Sequence, residues 1–129
     1  MAHERILVVD DNPANCKLVS FLLKTAGYSV RTATTADEAI AAIGLEVPEL
    51  ILMDLQLPGM DGLTLTRQLK LKSETRATLI VAFTAYAMLG DEARARAAGC
   101  DAYITKPINT RTFPSEIRDL LDRQQQDAT

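Results

Sequence analysis

The sequence predicts an open α/β fold in which parallel strands carry helices on both faces. Short apolar runs alternate with amphipathic stretches five times along the chain, the pattern of strand–helix units wound into a parallel sheet. The first run, Arg5-Ile-Leu-Val-Val9, is unbroken and rich in β-branched residues, as a strand covered on both faces requires. A chain of 129 residues suits one domain, and no linker interrupts the alternation.

The elements follow in order. After the first strand, Asn12-Pro13 opens a helix with Asn as N-cap and Pro at the first helical position. Leu18, Leu22 and Ala26 share one face of it, with Val19 and Leu23 beside them, and Gly27 stops it. Residues Tyr28 to Ala33 alternate more and read as a second strand near a sheet edge. Thr35-Ala-Asp-Glu38 is a capping-box pattern, followed by a stripe of Ala36, Ala39, Ile40 and Ile43. Pro48 closes the connection to a third strand, Leu50 to Met53. Leu57 to Gly62 is a loop by composition, and Asp61 caps a third helix carrying Leu65 and Leu69. Thr78 to Phe83 is the fourth strand. Asp91 to Ala98 is a short Ala- and Arg-rich helix ended by Gly99, with few large apolar residues to pack. Ala102 to Thr105 is the fifth strand. The last helix carries Ile117, Leu120 and Leu121 and can begin near Phe113 instead of Asn109, because Pro114 lacks an N–H. Gln124 to Thr129 reads as a frayed polar tail.

Composition excludes several functions. A net charge of -3 and the lack of a basic stripe argue against DNA binding. No apolar run approaches the roughly 20 residues of a membrane span, and the Met1-Ala2-His3-Glu4-Arg5 start has no signal core. The cytoplasm is the expected location. Cys16 and Cys100 form no Cys-x-x-Cys pair and read as buried reduced thiols. The single histidine, His3, sits at the terminus, which argues against a His–Cys zinc site, a Ser-His-Asp triad or a phosphohistidine within the chain.

In doubly wound sheets, sites form at the carboxyl ends of the strands. Polar residues stand there at four ends: Asp10 and Asp11 after the first strand, Asp54 after the third, Thr84 after the fourth and Lys106 after the fifth. Three gathered carboxylates repel one another. A hard divalent cation with oxygen ligands relieves that repulsion, and Mg²⁺ (or Mn²⁺) suits a partly hydrated site with few carboxylates. An Asp beside a cation, an amine and a hydroxyl meets the needs of phosphoryl transfer through an aspartyl phosphate. Each residue alone has an ordinary explanation, whether helix capping, a strand-end carboxylate or a surface lysine before a turn. Their joint placement is what such explanations leave unaccounted for.

With Met53-Asp-Leu-Gln-Leu-Pro58, Thr84-Ala85 and Lys106-Pro107 added to Asp10-Asp11, the chain from Arg5 to about Leu121 resembles a CheY-like receiver domain of two-component response regulators. Among these it looks closest to the DivK-type single-domain regulator and to the receiver of hybrid histidine kinases, and the start at Met1 and the stop after the fifth helix favour the stand-alone type. The resemblance implies a flavodoxin-like sheet of order 2-1-3-4-5 and one receiver domain over residues 1–129, with a core from about 4 to 123. It also implies that Asp54 is the phosphoacceptor. Asp11 would be a direct Mg²⁺ ligand, Asp10 would act through a bound water, and the Gln56 backbone carbonyl and Asp54 would complete the set. Lys106 would contact the phosphoryl group, Thr84 and Tyr103 would be the switch pair, and the Lys106–Pro107 bond would be cis. Gln56 and Tyr86 would tune the lifetime of the phosphoryl group.

The implied partners are a histidine kinase or histidine phosphotransfer protein and a downstream protein bound through the fourth helix, fifth strand and fifth helix. The protein would be a monomer, with a dimer possible on phosphorylation, and would be a phosphoacceptor and not an enzyme. Three other readings stand beside this one. An aspartyl-nucleophile phosphatase would need an acid two residues after Asp54, where Gln56 stands. A flavodoxin-type electron carrier would need a phosphate loop where Asp10-Asp11-Asn12-Pro13 would repel phosphate. A receiver-like binding module would work without phosphorylation.

Overall fold

The computed structural model describes residues 4–57, 60–84 and 90–127. The strands are β1 (Arg5–Val9), β2 (Ser29–Ala33), β3 (Leu50–Met53), β4 (Leu79–Thr84) and β5 (Ala102–Thr105). The helices are α1 (Pro13–Thr25), α2 (Ala36–Leu45), α3 (Gly62–Leu71), α4 (Asp91–Ala98) and α5 (Phe113–Asp127). All strand pairs are parallel, in the order β2-β1-β3-β4-β5. The expected doubly wound flavodoxin-like sheet is therefore present. Among the described residues, no helix is long and apolar enough to cross a membrane.

Alternation along the strands divides the interior in two. Leu7, Val9, Ile51, Met53, Ile80 and Ala82 face α2, α3 and α4, whose Ala39, Ile43, Leu65, Leu69 and Ala95 fill one core. Ile6, Val8, Leu50, Leu52, Val81 and Phe83 face α1 and α5, whose Val19, Leu23, Phe113, Ile117 and Leu121 fill the other. Both faces are buried, so β1 and β3 are apolar at nearly every position, which is why they read as continuous runs.

The caps hold as expected at Asn12, Thr35 and Asp61, each accepting backbone N–H groups of its helix. The capping box is altered, however. Thr35 Oγ1 accepts the Glu38 N–H, but Glu38 Oε1 returns to the N–H and hydroxyl of Thr34, one residue before the cap. On α1 the buried stripe is Cys16, Val19 and Leu23, not Leu18, Leu22 and Ala26. Leu18 is 42% exposed and Leu22 only half-buried. Cys16, Val19 and Leu23 face the sheet, and Leu18 and Leu22 stand at the rim. Ile40 is likewise rotated to the rim of α2. The last helix starts at Phe113, and the Asn109 carbonyl accepts the Thr112 and Phe113 N–H groups in a turn before it. Pro114 thus lies in the first turn, where a missing N–H costs nothing. The helix runs through Asp127 in place of a tail from Gln124, since glutamine sustains helix well.

Two details secure the sheet edges. On β2, Arg31 pairs with Glu46 at 3.7 Å, and Glu46 also meets Arg5 at 3.6 Å. Where β5 begins, Asp101 Oδ2 accepts the Ile80 N–H at 2.9 Å and the Lys70 ammonium at 2.8 Å. Lys70 Nζ also donates to the Thr78 carbonyl at 2.7 Å. One carboxylate thus ties α3, β4 and the β5 entrance. Asp101→Ala leaves the Ile80 N–H and Lys70 short of an acceptor. It is expected to cost about 1–3 kcal/mol, read as a lowered denaturant midpoint with an unchanged slope.

Candidate metal and phosphoryl site

The register aligns Val9, Met53 and Ala82 across β1, β3 and β4. The next residues along the first two strands are Asp10 and Asp54, which therefore emerge side by side. Backbone hydrogen bonds continue one step past the strands and hold them there. The Asp54 N–H donates to Val9 O at 2.9 Å, Asp10 N–H to Ala33 O at 3.0 Å and Lys106 N–H to Thr84 O at 2.8 Å. Asp10 is fully buried and Asp54 is 5% exposed, whereas Asp11 is exposed at the mouth.

Each carboxylate has defined partners. Asp10 Oδ1 accepts the Asn12 N–H at 2.9 Å, and Asp54 Oδ1 accepts the Gln56 N–H at 2.9 Å. Lys106 Nζ lies 2.7 Å from Asp10 Oδ2 and 3.4 Å from Asp54 Oδ2. Burial pushes the Asp54 carboxyl above its ordinary range, and Asp10 adds to the rise. The Gln56 N–H and Lys106 pull the other way. Together with Asn12, Asn15 and Gln56, these residues line a cleft of about 230 Å³. One carboxylate oxygen from each of Asp10, Asp11 and Asp54 lies within 4.8 Å of the others. Three hard oxygen donors, two of them buried, form a donor set that suits a small divalent cation.

Of the residues that the sequence points to, Asp10, Asp11, Asp54, Gln56 and Lys106 share this cleft. Thr84 is the last residue of β4, not the first beyond it, and is 1% exposed. By strand alternation it belongs to the opposite face, with Tyr103 of β5. Tyr103 is half-buried against the α2–α4 side. Burial raises its phenol, and Asp91 and Glu92 of α4 raise it further. The Lys106–Pro107 peptide is cis. Ala85 and Tyr86 lie outside the described residues, as do Pro58 and Gly59.

Two contributors escaped the sequence reading. Asn15 reaches back to Asp10 Oδ2 at 3.5 Å from the first turn of α1. Gly62 opens α3 where a Cβ would stand 2.3 Å from the Asp54 carbonyl oxygen. A glycine directly after an N-cap serves no capping need, and that was the available signal of a close approach.

Known proteins match this chain in sequence and in fold. Residues 6–118 match the family model described as response regulator receiver domain. The chain is 41% identical over 116 residues to the polar-differentiation response regulator DivK of Brucella ovis, covering 90% of this chain and 94% of that one. A CheY-like receiver domain protein from Methanospirillum hungatei superposes with a TM-score of 0.88 at 36% identity, over 98% of this chain and 99% of that one. Vibrio cholerae chemotaxis protein CheY4 gives 0.85 at 27% identity, over 92% and 98%.

The carboxylate cluster makes a stability prediction. Unit charges about 5 Å apart repel by roughly 3 kcal/mol at an effective dielectric of 20, and Lys106 offsets part of this. Without metal at pH 7, Asp54→Asn is expected to unfold on the order of 1 kcal/mol harder than wild type. The sign follows from linkage. With its carboxyl raised, native Asp54 holds a proton that the unfolded chain has already lost, so wild-type stability falls as pH rises through that window. Chelator-treated denaturation series should therefore show the Asn advantage shrinking toward pH 4.

Proposed function

The chain belongs to the response regulator receiver domain family, and from that premise we propose that it is a phosphorylation switch whose acceptor is Asp54. The observation that carries this reading is the convergence of Asp54, Asp10, Asp11 and Lys106 on one cleft. Asp54 is the only one of the three carboxylates that is both buried and central to the sheet, at the end of β3.

Asp54 offers a carboxylate oxygen to the phosphorus of a donor phosphohistidine. A new O–P bond forms, the P–N bond breaks, and its electron pair returns to the imidazole ring, leaving an acyl phosphate on Asp54. Lys106 turns its ammonium from the two carboxylates toward the transferred oxygens and offsets their charge. Asp10, Asp11, Asp54 and the Gln56 backbone carbonyl would hold a divalent cation, Mg²⁺ or Mn²⁺. When bound, it supplies charge neutralisation for the phosphoryl oxygens. Asn12, Asn15 and Gln56 fix the carboxylates so that they need not reorganise.

The output runs through the opposite face of the sheet. A Thr84 hydroxyl drawn toward the new phosphoryl group leaves room behind it, and Tyr103 turns inward to fill that room. α4 is the element that can respond, because it buries only Ala95 and Ala98. The altered α4-β5-α5 surface then meets a target protein, or the phosphoryl group passes on to a phosphotransfer protein. The whole chain acts as one receiver unit in the cytoplasm. It serves its donor as an acceptor, without an independent substrate of its own.

Intact-protein mass with acetyl phosphate tests this. Wild type with Mg²⁺ is expected to gain one phosphoryl adduct that needs the metal and is absent from Asp54→Ala. Lys106→Ala is expected to slow its formation roughly tenfold or more. An adduct on another residue, or one indifferent to Mg²⁺, overturns the mechanism. No adduct and no metal binding would favour a binding module that works without phosphorylation.

A further inference from the structure

The Lys106 ammonium has a third neighbour besides its two carboxylates. Its Nζ lies 4.9 Å from the centre of the Phe83 ring. Phe83 is 2% exposed, and the Lys106 side chain is 14% exposed. Alternation places Phe83, Ile104 and Lys106 on the α1–α5 face with Asp10 and Asp54, so the ring lies beside the cleft and not beneath Thr84. The ring is itself fixed from behind. Phe113, fully buried at the start of α5, sits 6.3 Å from it, tilted by 33°.

This arrangement answers a physical problem. Lysine carries a long flexible stem and a point charge with no geometry of its own. In the resting cleft the ammonium is drawn to Asp10 at 2.7 Å, closer than to Asp54 at 3.4 Å. A cation held by the carboxylates would compete for the same oxygens and would repel the ammonium. Carboxylates alone would then leave Lys106 free to swing into solvent. An aromatic face attracts a cation without demanding a particular oxygen, and more strongly where water is scarce.

We propose that Phe83 is a positioning residue for Lys106: its ring face keeps the ammonium over the cleft when the carboxylates are engaged elsewhere. The inference rests on the phosphoacceptor reading and deepens it. It assigns to Phe83 a role at the site in addition to its place in the core.

The test separates ring electrostatics from packing. Phenylalanine bearing one, two or five ring fluorines is placed at position 83, which keeps the shape while progressively weakening the negative face. The phosphorylation rate from acetyl phosphate and Mg²⁺ is expected to fall in that order, by roughly three- to tenfold for the five-fluorine ring. Thermal midpoints should stay near wild type, a pattern that a purely structural role would not give. Phe83→Leu is expected to lose both rate and stability.

As a second readout, the Lys106 ε-methylene protons should resonate upfield in wild type under the ring and at ordinary lysine shifts in Phe83→Leu. Equal rates across the fluorinated series overturn the proposal. If wild type takes no phosphate at all, the functional reading falls. The ε-methylene shifts then decide the ring contact alone, and an ordinary lysine shift in wild type overturns it.

Discussion

The rest of this molecule depends on holding Asp10 and Asp54 side by side, both buried, at the carboxyl edge of the sheet. For Asp54 the placement is costly: burial disfavours its charge, and Asp10 beside it disfavours that charge again. The fold imposes the placement through backbone hydrogen bonds that run one residue beyond β1 and β3. The site then relieves it in part with Lys106 and with backbone N–H groups from Asn12 and Gln56. A cleft built in this way gathers like charges with one lysine between them, and that is the property the proposed switch needs. Arrival of a cation or transfer of a phosphoryl group changes the charge balance at the point where the sheet is least comfortable.

The period of the β-strand supplies the second half of the design. Two adjacent residues of β4, Phe83 and Thr84, project to opposite faces. One stands beside the charged cleft among α1 and α5, and the other on the side of α3 and α4. Tyr103 of β5 and Lys106, just past its end, divide in the same way. In the proposed mechanism, chemistry and response therefore occupy different layers of the protein, and Phe83 and Thr84 are separated by a single peptide unit. The elements on the chemical side are deeply anchored, with α1 and α5 burying Val19, Leu23, Phe113, Ile117 and Leu121. α4 is held by two alanines.

The sequence was most legible where one physical rule acts alone. Strand runs buried on both faces, side-chain caps such as Asn12 and Asp61, and polar residues at strand ends all follow from short-range patterns. They located β1, β3, α4 and β5 at their observed bounds. Legibility failed where two similar choices compete. The apolar residues of α1 offer two overlapping stripes, and the pattern alone does not say that Cys16, Val19 and Leu23 face the sheet. The length of α5 turned on a polar glutamine run with no breaker in it. At the site, charged members were visible because charge at a strand end is unusual. Phe83 and Gly62 were not, since an aromatic in a buried strand and a glycine after a loop are both commonplace until their neighbours are known.

The ion-paired rim of β2 has a consequence for how this protein meets its own kind. A strand at the border of a sheet presents unpaired backbone groups to any passing chain. Here Arg31, linked to Glu46 and through it to Arg5, stands over that border. A second strand laid along this edge would have to take those charges out of water, which disfavours edge-to-edge pairing between copies.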